Sequence, residues 1–161
     1  MAGDTGIERE LAGFMEVLDK AVDYVMQNDV ADVAVGAIQG AIQTEVYNKY
    51  TPKMYVRSLD TGGLQDPHNI DKKYDFKTKT LELQSVRDDP ETKDWRWRKT
   101  ADPDNTVADI VEKGGPYQYP LRPDPGPRPF HSVAEQWLSR NKYFDRALQT
   151  GVTTLLRGWE L

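Results

Sequence analysis

The stretch GGPYQYPLRPDPGPRPFHSVAEQWL, Gly114–Leu138, shapes the interpretation of the whole chain. It runs from a glycine pair through six of the ten prolines into an amphipathic pattern. Proline fixes φ and lacks a backbone N–H, so most of this stretch cannot join a helix or the middle of a sheet. Inside a compact domain such a segment is usually a lid, a binding loop or a linker. We therefore predict a proline-rich arm over residues 114–129.

The arm leads into a predicted C-terminal helix over residues 130–158. Pro129 suits the start of a helix, and Ser132-Val-Ala-Glu135 has the pattern of a capping box. Gly151 interrupts the pattern and predicts a kink or an early end. The apolar face of this helix consists of Val133, Trp137, Leu138, Phe144, Leu148, Val152, Leu155 and Leu156.

Two helices are predicted before residue 51. The first, over about residues 7–27, begins after a Thr5–Glu8 capping box and should end at Gln27-Asn28. The second restarts at Asp29 and continues to about residue 50, where Thr51-Pro52 ends it. Glycines at positions 36 and 40 allow another element to approach closely, either from the same chain or from another subunit. The apolar positions of the first helix are Ile7, Leu11, Phe14, Met15, Leu18, Val22 and Val25.

The middle of the chain predicts strands and loops. Alternation favours strands at Lys53–Leu59, at Phe76–Arg87 with two leucines inward, and at Trp95–Arg98. Leu64–Asp75 is polar and predicts an irregular connection, and Val107–Lys113 is a short capped segment. The resulting class is α+β in one domain over residues 1–161. It has an N-terminal helix pair, a small antiparallel sheet, a long proline-rich loop and a C-terminal amphipathic helix.

Composition removes several classes of protein. Hydrophobic residues make up 38% of the 161 positions and charged residues 29%, which favours a thin core or one completed by partners. The absence of cysteine excludes disulfides, thiol nucleophiles and cysteine-bound metal. No apolar run approaches the roughly 20 residues that span a bilayer, and the acidic N-terminus lacks the features of a signal peptide. We expect a soluble protein made in the cytoplasm.

Charge is distributed unevenly along the chain. The net charge is −5, yet residues 1–48 carry nine acids against two bases, a net of −7, which leaves +2 for the remainder. Tight binding of duplex DNA depends largely on neutralising phosphates. The acidic first third therefore argues against DNA as a tightly held ligand, although DNA could still pass along this surface.

No pattern of catalytic or metal-binding residues stands out. The two histidines, His68 and His131, lie far apart without ligand spacing, and a capping role explains Ser132 beside His131. No serine lies in a G-x-S-x-G elbow, and neither glycine pair is followed by a P-loop lysine. We expect no enzymatic activity, no metal and no cofactor.

WRWRK, Trp95–Lys99, is the best local candidate for binding nucleic acid. Stacked indoles with alternating arginines could hold single strands. The alternative is a strand with its tryptophans on the core and its arginines in solvent, and the acids just upstream offset the basic charge.

Several short motifs together resemble the tail-completion, or head–tail joining, proteins of tailed bacteriophages. They are Tyr50–Arg57 (YTPKMYVR), Thr61–Leu64 (TGGL), Ile110–Glu112 with Gly114, and Arg128-Pro-Phe130 with Ala134 opening the last helix. The turn after Arg57 is longer than the family's compact form. The resemblance spans most of residues 50–147. It implies a non-enzymatic virion protein, assembled in the host cytoplasm, in a ring of six between the head connector and the tail.

The resemblance suggests roles for two groups of residues. We expect the arm to dock on a neighbouring subunit or neck protein. A second hypothesis places acids of the first helix on the DNA channel, where weak repulsion prevents sticking. A tail terminator or another minor tail protein is the alternative, followed by a nucleic-acid-binding module that uses Trp95–Lys99. The predicted interface residues are Tyr117, Tyr119, Arg122, Arg128 and Phe130, and the predicted channel acids are Glu16, Asp19 and Asp23.

Overall fold

The computed structural model of the protein describes residues 4–49, 62–86, 107–113 and 126–158. The predicted strands at Lys53–Leu59 and Trp95–Arg98, and residues 114–125 of the arm, lie outside the described residues. The described chain is α+β, with an N-terminal helix pair, a two-stranded antiparallel sheet and a C-terminal helical segment. The predicted class is therefore confirmed. No helix among these residues is long and apolar enough to cross a membrane.

The N-terminal helices are joined without a loop. Helix α1 covers Asp4–Val25 and α2 covers Ala31–Ile42, and a π-helical turn, Met26–Val30, connects them. The flanking backbone keeps right-handed helical dihedrals, and α2 has no side-chain cap. The predicted break at Gln27-Asn28 is thus wrong in detail. Both side chains donate to carbonyls one turn earlier, at 3.0 and 2.7 Å, and so they support the helix that they were expected to end. A second π-helical turn, Gln43–Tyr47, follows α2.

In the part of the chain that the structure describes, the sheet is a single hairpin. Strand β1, Ile70–Asp75, pairs antiparallel with β2, Thr80–Ser85, and residues 76–79 form the turn. This corrects two predictions, because Ile70–Asp75 is a strand and Phe76 belongs to the turn. The sequence IDKKYD shows little apolar alternation because most of β1 faces solvent. The inward leucines of β2 are confirmed: Leu81 and Leu83 are half-buried against the core.

The C-terminal segment is divided into two helices. Helix α4 covers Phe130–Asn141 and α5 covers Tyr143–Arg157. Lys142 separates them with a left-handed φ of 52°. The interruption expected at Gly151 therefore falls nine residues earlier, and Gly151 itself lies buried inside α5. Glycine is needed there because an added Cβ would lie 2.6 Å from a methyl of Val25.

The C-terminal helices run antiparallel to the N-terminal pair. Trp137 on α4 packs over Gly40, whereas Gly151 on α5 contacts Val25 and Asp29. As the residue number rises along one segment, it falls along the other. The contact at Gly40 shows that this glycine serves packing within the chain, the first of the two interpretations of the glycine pair. By contrast, a Cβ at Gly36 would meet nothing within 4 Å.

The described residues form two apolar clusters in the core. The larger lies between α2, α4 and the short helix α3, Val107–Lys113, with Phe130 and Ile42 fully buried in it. The smaller joins the end of α1 and the π-helical turn to α5 and the hairpin. The larger cluster comprises Val35, Ile38, Ala41, Ile42, Val46, Leu64, Ile70, Ala108, Val111, Phe130 and Ala134, and the smaller is centred on Val25, Met26 and Val30.

Candidate assembly surfaces

The first half of α1 carries an exposed apolar face. Ile7, Leu11, Phe14 and Met15 are 69, 59, 42 and 55% exposed, respectively. At 3.6 residues per turn these positions lie on one side of the helix. We call these four residues the α1 stripe. Scattered exposed apolar residues are ordinary, but a contiguous patch marks a surface that binds something.

Among the described residues, the α1 stripe is the uncovered end of a longer apolar seam. Spacings of four and three residues connect Ile7, Leu11 and Phe14 to Leu18, and then to Ala21 and Val25 in the buried part of the helix. This is the a/d repeat of helices that pack lengthwise. Exposure falls steadily along it, because α5 covers only the C-terminal end.

The lengths of α1 and α5 explain where α5 stops covering the seam. Gly151 lies opposite Val25 and Asp29, and α5 ends six residues later at Arg157. In an antiparallel pair these six residues extend the contact only to about the level of Ala21. Residues 4–20 of α1 therefore project beyond the end of α5, which is about five turns at 3.6 residues per turn. The sequence predicted the apolar face of α1 but not which part of it is covered. No comparison of predicted lengths could have shown this, because the C-terminal helix predicted over residues 130–158 is longer than the first helix, and only the break at Lys142 leaves α5 the shorter of the two.

The three proposed channel acids each engage a residue of this chain. Glu16 pairs with exposed Lys20 at 2.6 Å. Asp19 and Asp23 lie 2.8 and 2.6 Å, respectively, from the Lys79 ammonium. These contacts join α1 to the hairpin turn. They give Asp19 and Asp23 a role within this chain, and the channel-facing position of the three acids stays a prediction.

Asp23 is the most constrained of these acids. It accepts hydrogen bonds from Lys79 and, at 2.7 Å, from the hydroxyl of Tyr74. The bond from Lys79 lowers the pKa of Asp23, despite partial desolvation. Burial, and then the hydrogen bond to Asp23, raise the pKa of Tyr74 to about 12. Lys79, between two carboxylates, has its pKa raised above its ordinary value. The network is a charged clasp that fixes the hairpin on α1.

The outer side of the hairpin is basic and carries an exposed aromatic ring. Residues 72–79 contain four lysines and a single acid, Asp75. Lys72 pairs with Asp32 at 2.8 Å, and Lys79 is held in the clasp. Phe76, at the turn, is 57% exposed and meets the Tyr74 ring edge-on, with 5.1 Å between centroids. Phe76 with its exposed neighbours Lys73 and Lys77 is called the hairpin patch.

The described end of the proline arm is anchored to the core. Arg128 donates its backbone N–H to Val111 O at 3.1 Å, and the side chain of Phe130 is fully buried. The Glu112 carboxylate accepts the N–H of His131 at 3.1 Å and lies 3.4 Å from the ring Nδ1.

The cap of α4 therefore comes from α3. The predicted Ser132 capping box is wrong, since the helix begins two residues earlier, at Phe130. Of the predicted interface residues, Tyr117, Tyr119 and Arg122 lie outside the described residues. Arg128 and Phe130 are brought together at this anchor point.

Among the described residues, no group of three or more histidine, aspartate or glutamate side chains could hold a metal ion. Of the described acids and histidines only Glu112 lies beside His131, whose buried Nε2 has no hydrogen-bond partner in this part of the chain. His68 is exposed beside Asp66, whose carboxylate accepts the N–H groups of His68 and Gly62. These two hydrogen bonds lower the pKa of Asp66, and the bond from His68 has the larger effect. The bond from His68 also makes Asp66 the cap of a short 3₁₀ turn.

Comparison with known proteins places the chain in a phage-derived family. The model of the YomN family matches residues 10–154, nearly the whole chain, and the protein belongs to this family. The family is a phage-derived one, like a gene product of the Bacillus phage SPbeta, and it indicates a phage protein. A search of curated proteins and a search of solved structures found no significant match.

Proposed function

We propose that this phage protein is a structural component of the virion neck. In this proposal it forms a ring, with six subunits, that joins the tail to the head connector. The observation that carries the proposal is the α1 stripe, a row of four large apolar side chains that the described part of the chain leaves exposed. Covering such a row by association gains about 25 cal/mol per Å² of apolar surface. A surface of this kind suits a protein that is completed by its neighbours.

Two further features support the neck over other virion positions. The motif Arg128-Pro-Phe130 with Ala134 resembles the tail-completion proteins, and both Phe130 and Ala134 are buried where α4 packs on α2. The motif would therefore preserve the family's helix packing. The acidic first third also suits a ring through which DNA passes without sticking. DNA would be a passing cargo, and the lasting partners would be other copies and neighbouring neck and tail proteins.

Gene deletion in the phage, followed by electron microscopy of lysates, tests the neck role. We expect DNA-filled heads and tails of normal length that fail to join, and restoration of whole particles by the gene supplied in trans. Mass spectrometry of purified wild-type particles should find the chain in about six copies.

Other phenotypes would contradict the neck assignment in distinguishable ways. Tails of irregular length would identify a tail terminator. Intact infectious particles without the protein would remove a structural role altogether. Single-stranded DNA binding abolished in a Trp95→Ala, Trp97→Ala variant, without any defect in joining, would favour the nucleic-acid-binding alternative.

A further inference from the structure

We propose that the α1 stripe of one copy docks on the hairpin patch of the next copy, and that this is the contact which builds the ring. The inference deepens the proposed function and rests on its ring. It names the two surfaces that meet and predicts that they differ. The occupant of the α1 stripe is a second copy of this chain.

The α1 stripe is apolar with an acidic border. Glu8 and Glu10 flank Leu11 at the e and g positions of the repeat, which border the a/d seam. Both are exposed, and neither pairs with a described residue. Arg9 occupies the f position on the opposite side of the helix. A partner for this surface must therefore offer apolar contact and positive charge.

The hairpin patch offers both. Phe76 is the exposed aromatic ring of the turn, and Lys77 follows it with no ion pair to a described residue. The only acid in the turn region, Asp75, already accepts the N–H groups of Lys77 and Thr78 at 2.8 and 3.3 Å. Lys73 stands opposite Glu82 in the sheet, so Lys77 is the cation of the hairpin patch with no carboxylate placed opposite it among the described residues. An aromatic ring beside a cation complements the α1 stripe and its acidic border.

The chain already contains a version of this pairing. Lys79 of the hairpin binds the α1 carboxylates Asp19 and Asp23 within one subunit. Those two acids lie roughly a third of a turn around α1 from the stripe, at 100° per residue. The subunit's own hairpin therefore occupies a different face of α1 and leaves the α1 stripe to the hairpin of a neighbour.

Two unlike surfaces make a contact that propagates. When a patch on one subunit meets a different patch on the next, the assembly continues until it closes into a ring or extends as a filament. Pairing of two α1 stripes would instead give a closed dimer. A parallel pair would also bring Glu8 and Glu10 of both copies together, with like charges side by side.

Mixing two defective variants of the full chain tests the inference. Leu11→Asp disables the α1 stripe, and Phe76→Asp disables the hairpin patch. Both positions are exposed, so each variant should fold, which circular dichroism checks. Tyr24→Asp, at an exposed aromatic residue of α1 outside the stripe, is the matched control. The measurement is mass by light scattering and sedimentation, with each protein alone and in equimolar mixtures.

We expect the wild type and Tyr24→Asp to form the ring, and each disabled variant alone to have the mass of one 18.4 kDa chain. Mixed together, the two disabled variants should form a one-to-one pair with twice that mass, because one intact stripe can meet one intact hairpin patch. Charge reversal supplies a second readout. Glu10→Lys and Lys77→Glu should each weaken the ring, and the two changes in one chain should restore it.

Several results would overturn the inference. A Phe76→Asp protein that still associates would mean that the α1 stripe meets something other than the hairpin patch. A Leu11→Asp protein that keeps the ring would show that the stripe is not in the contact. A monomeric wild type at the highest soluble concentration would remove self-association as a property of the isolated chain. Failure of the neck role is separate, since a chain that passes these tests but is missing from particles would keep the contact and lose the proposed function.

Discussion

Replacing Gly151 by alanine would test the crossing of α5 on the N-terminal helices. An added Cβ would lie 2.6 and 2.8 Å from the two γ-methyl groups of Val25, and 2.5 Å from Oδ2 of Asp29. Carbon atoms pack best at about 3.5–4.0 Å, so the helices would have to separate by roughly 1 Å. Asp29 is exposed and can turn aside, whereas Val25 is buried in the smaller cluster and has no free space.

The expected change in the free energy of unfolding of Gly151→Ala is the sum of two opposing effects. Overpacking a core costs about 1–3 kcal/mol, and alanine in place of glycine inside a helix returns about 1 kcal/mol. Gly36→Ala is the matched control, because a Cβ there meets nothing within 4 Å and only the second term applies. The difference in free energy of unfolding between the two variants isolates the packing term. We expect Gly151→Ala to be less stable than Gly36→Ala by about 1–3 kcal/mol.

Urea denaturation followed by circular dichroism, at one protein concentration, measures both variants. Equal stability of Gly151→Ala and Gly36→Ala would refute the close crossing and the antiparallel register built on it. A double variant gives a further test. Adding Val25→Ala to Gly151→Ala should lower the free energy of unfolding by less than Val25→Ala lowers it in the wild type. The smaller side chain makes room for the new methyl, so the two changes are coupled.

Two further predictions concern the cap of α4 and the clasp. Glu112→Ala removes the acceptor for the His131 N–H and should lower the free energy of unfolding by about 1 kcal/mol, with a smaller effect from Ser132→Ala inside the helix. Comparison of the two variants by urea denaturation checks this, and a larger loss in Ser132→Ala would return the cap to the serine. The pKa of Tyr74 is raised to about 12 in the folded state, so the unfolded chain ionises first and stability should fall as the pH rises from about 10 to 12. Tyr74→Phe should lose less stability than the wild type between pH 9 and 11 in the same assay, and parallel losses would contradict a phenol held by Asp23.

Local patterns predicted the helical framework well. Apolar spacing identified α1 and most of the second and last helices, since a face of residues three and four apart is a property of the local sequence. The inward leucines of β2 were also predictable, because alternation places side chains on opposite faces of a strand. Strand β1 was not predicted, because its exposed, lysine-rich sequence shows little alternation of apolar and polar residues. In that strand, pairing with β2 determines the structure.

The helix boundaries depended on contacts that no local pattern records. Asn28 has a low helix propensity, yet its side chain bonds back to Tyr24 O and the helix continues as a π-helical turn. The C-terminal segment is interrupted at Lys142, which has no turn signature, and it stays helical through Gly151. A glycine can end a helix or allow a close crossing, and only the presence of Val25 opposite decides for the second use.

For the candidate assembly surfaces too, the sequence predicted the acidic residues and the tertiary structure supplied their partners. Charge along the sequence identified Glu16, Asp19 and Asp23 as an acidic surface. The tertiary structure placed Lys79 from a distant hairpin between two of these acids. A charge count can locate an acidic helix, but the partners of its carboxylates come from other parts of the fold.

By itself, the sequence determined that this chain forms an α+β protein with a long N-terminal amphipathic helix, because helix periodicity is a local property. Only the tertiary structure decided which part of each apolar face is covered. The a/d repeat of apolar residues in α1 is continuous from Ile7 to Val25. Its buried end and its exposed end differ because α5 runs antiparallel and stops near Ala21. Burial depends on where a neighbouring helix ends, and so the α1 stripe became visible as a surface only in the folded chain.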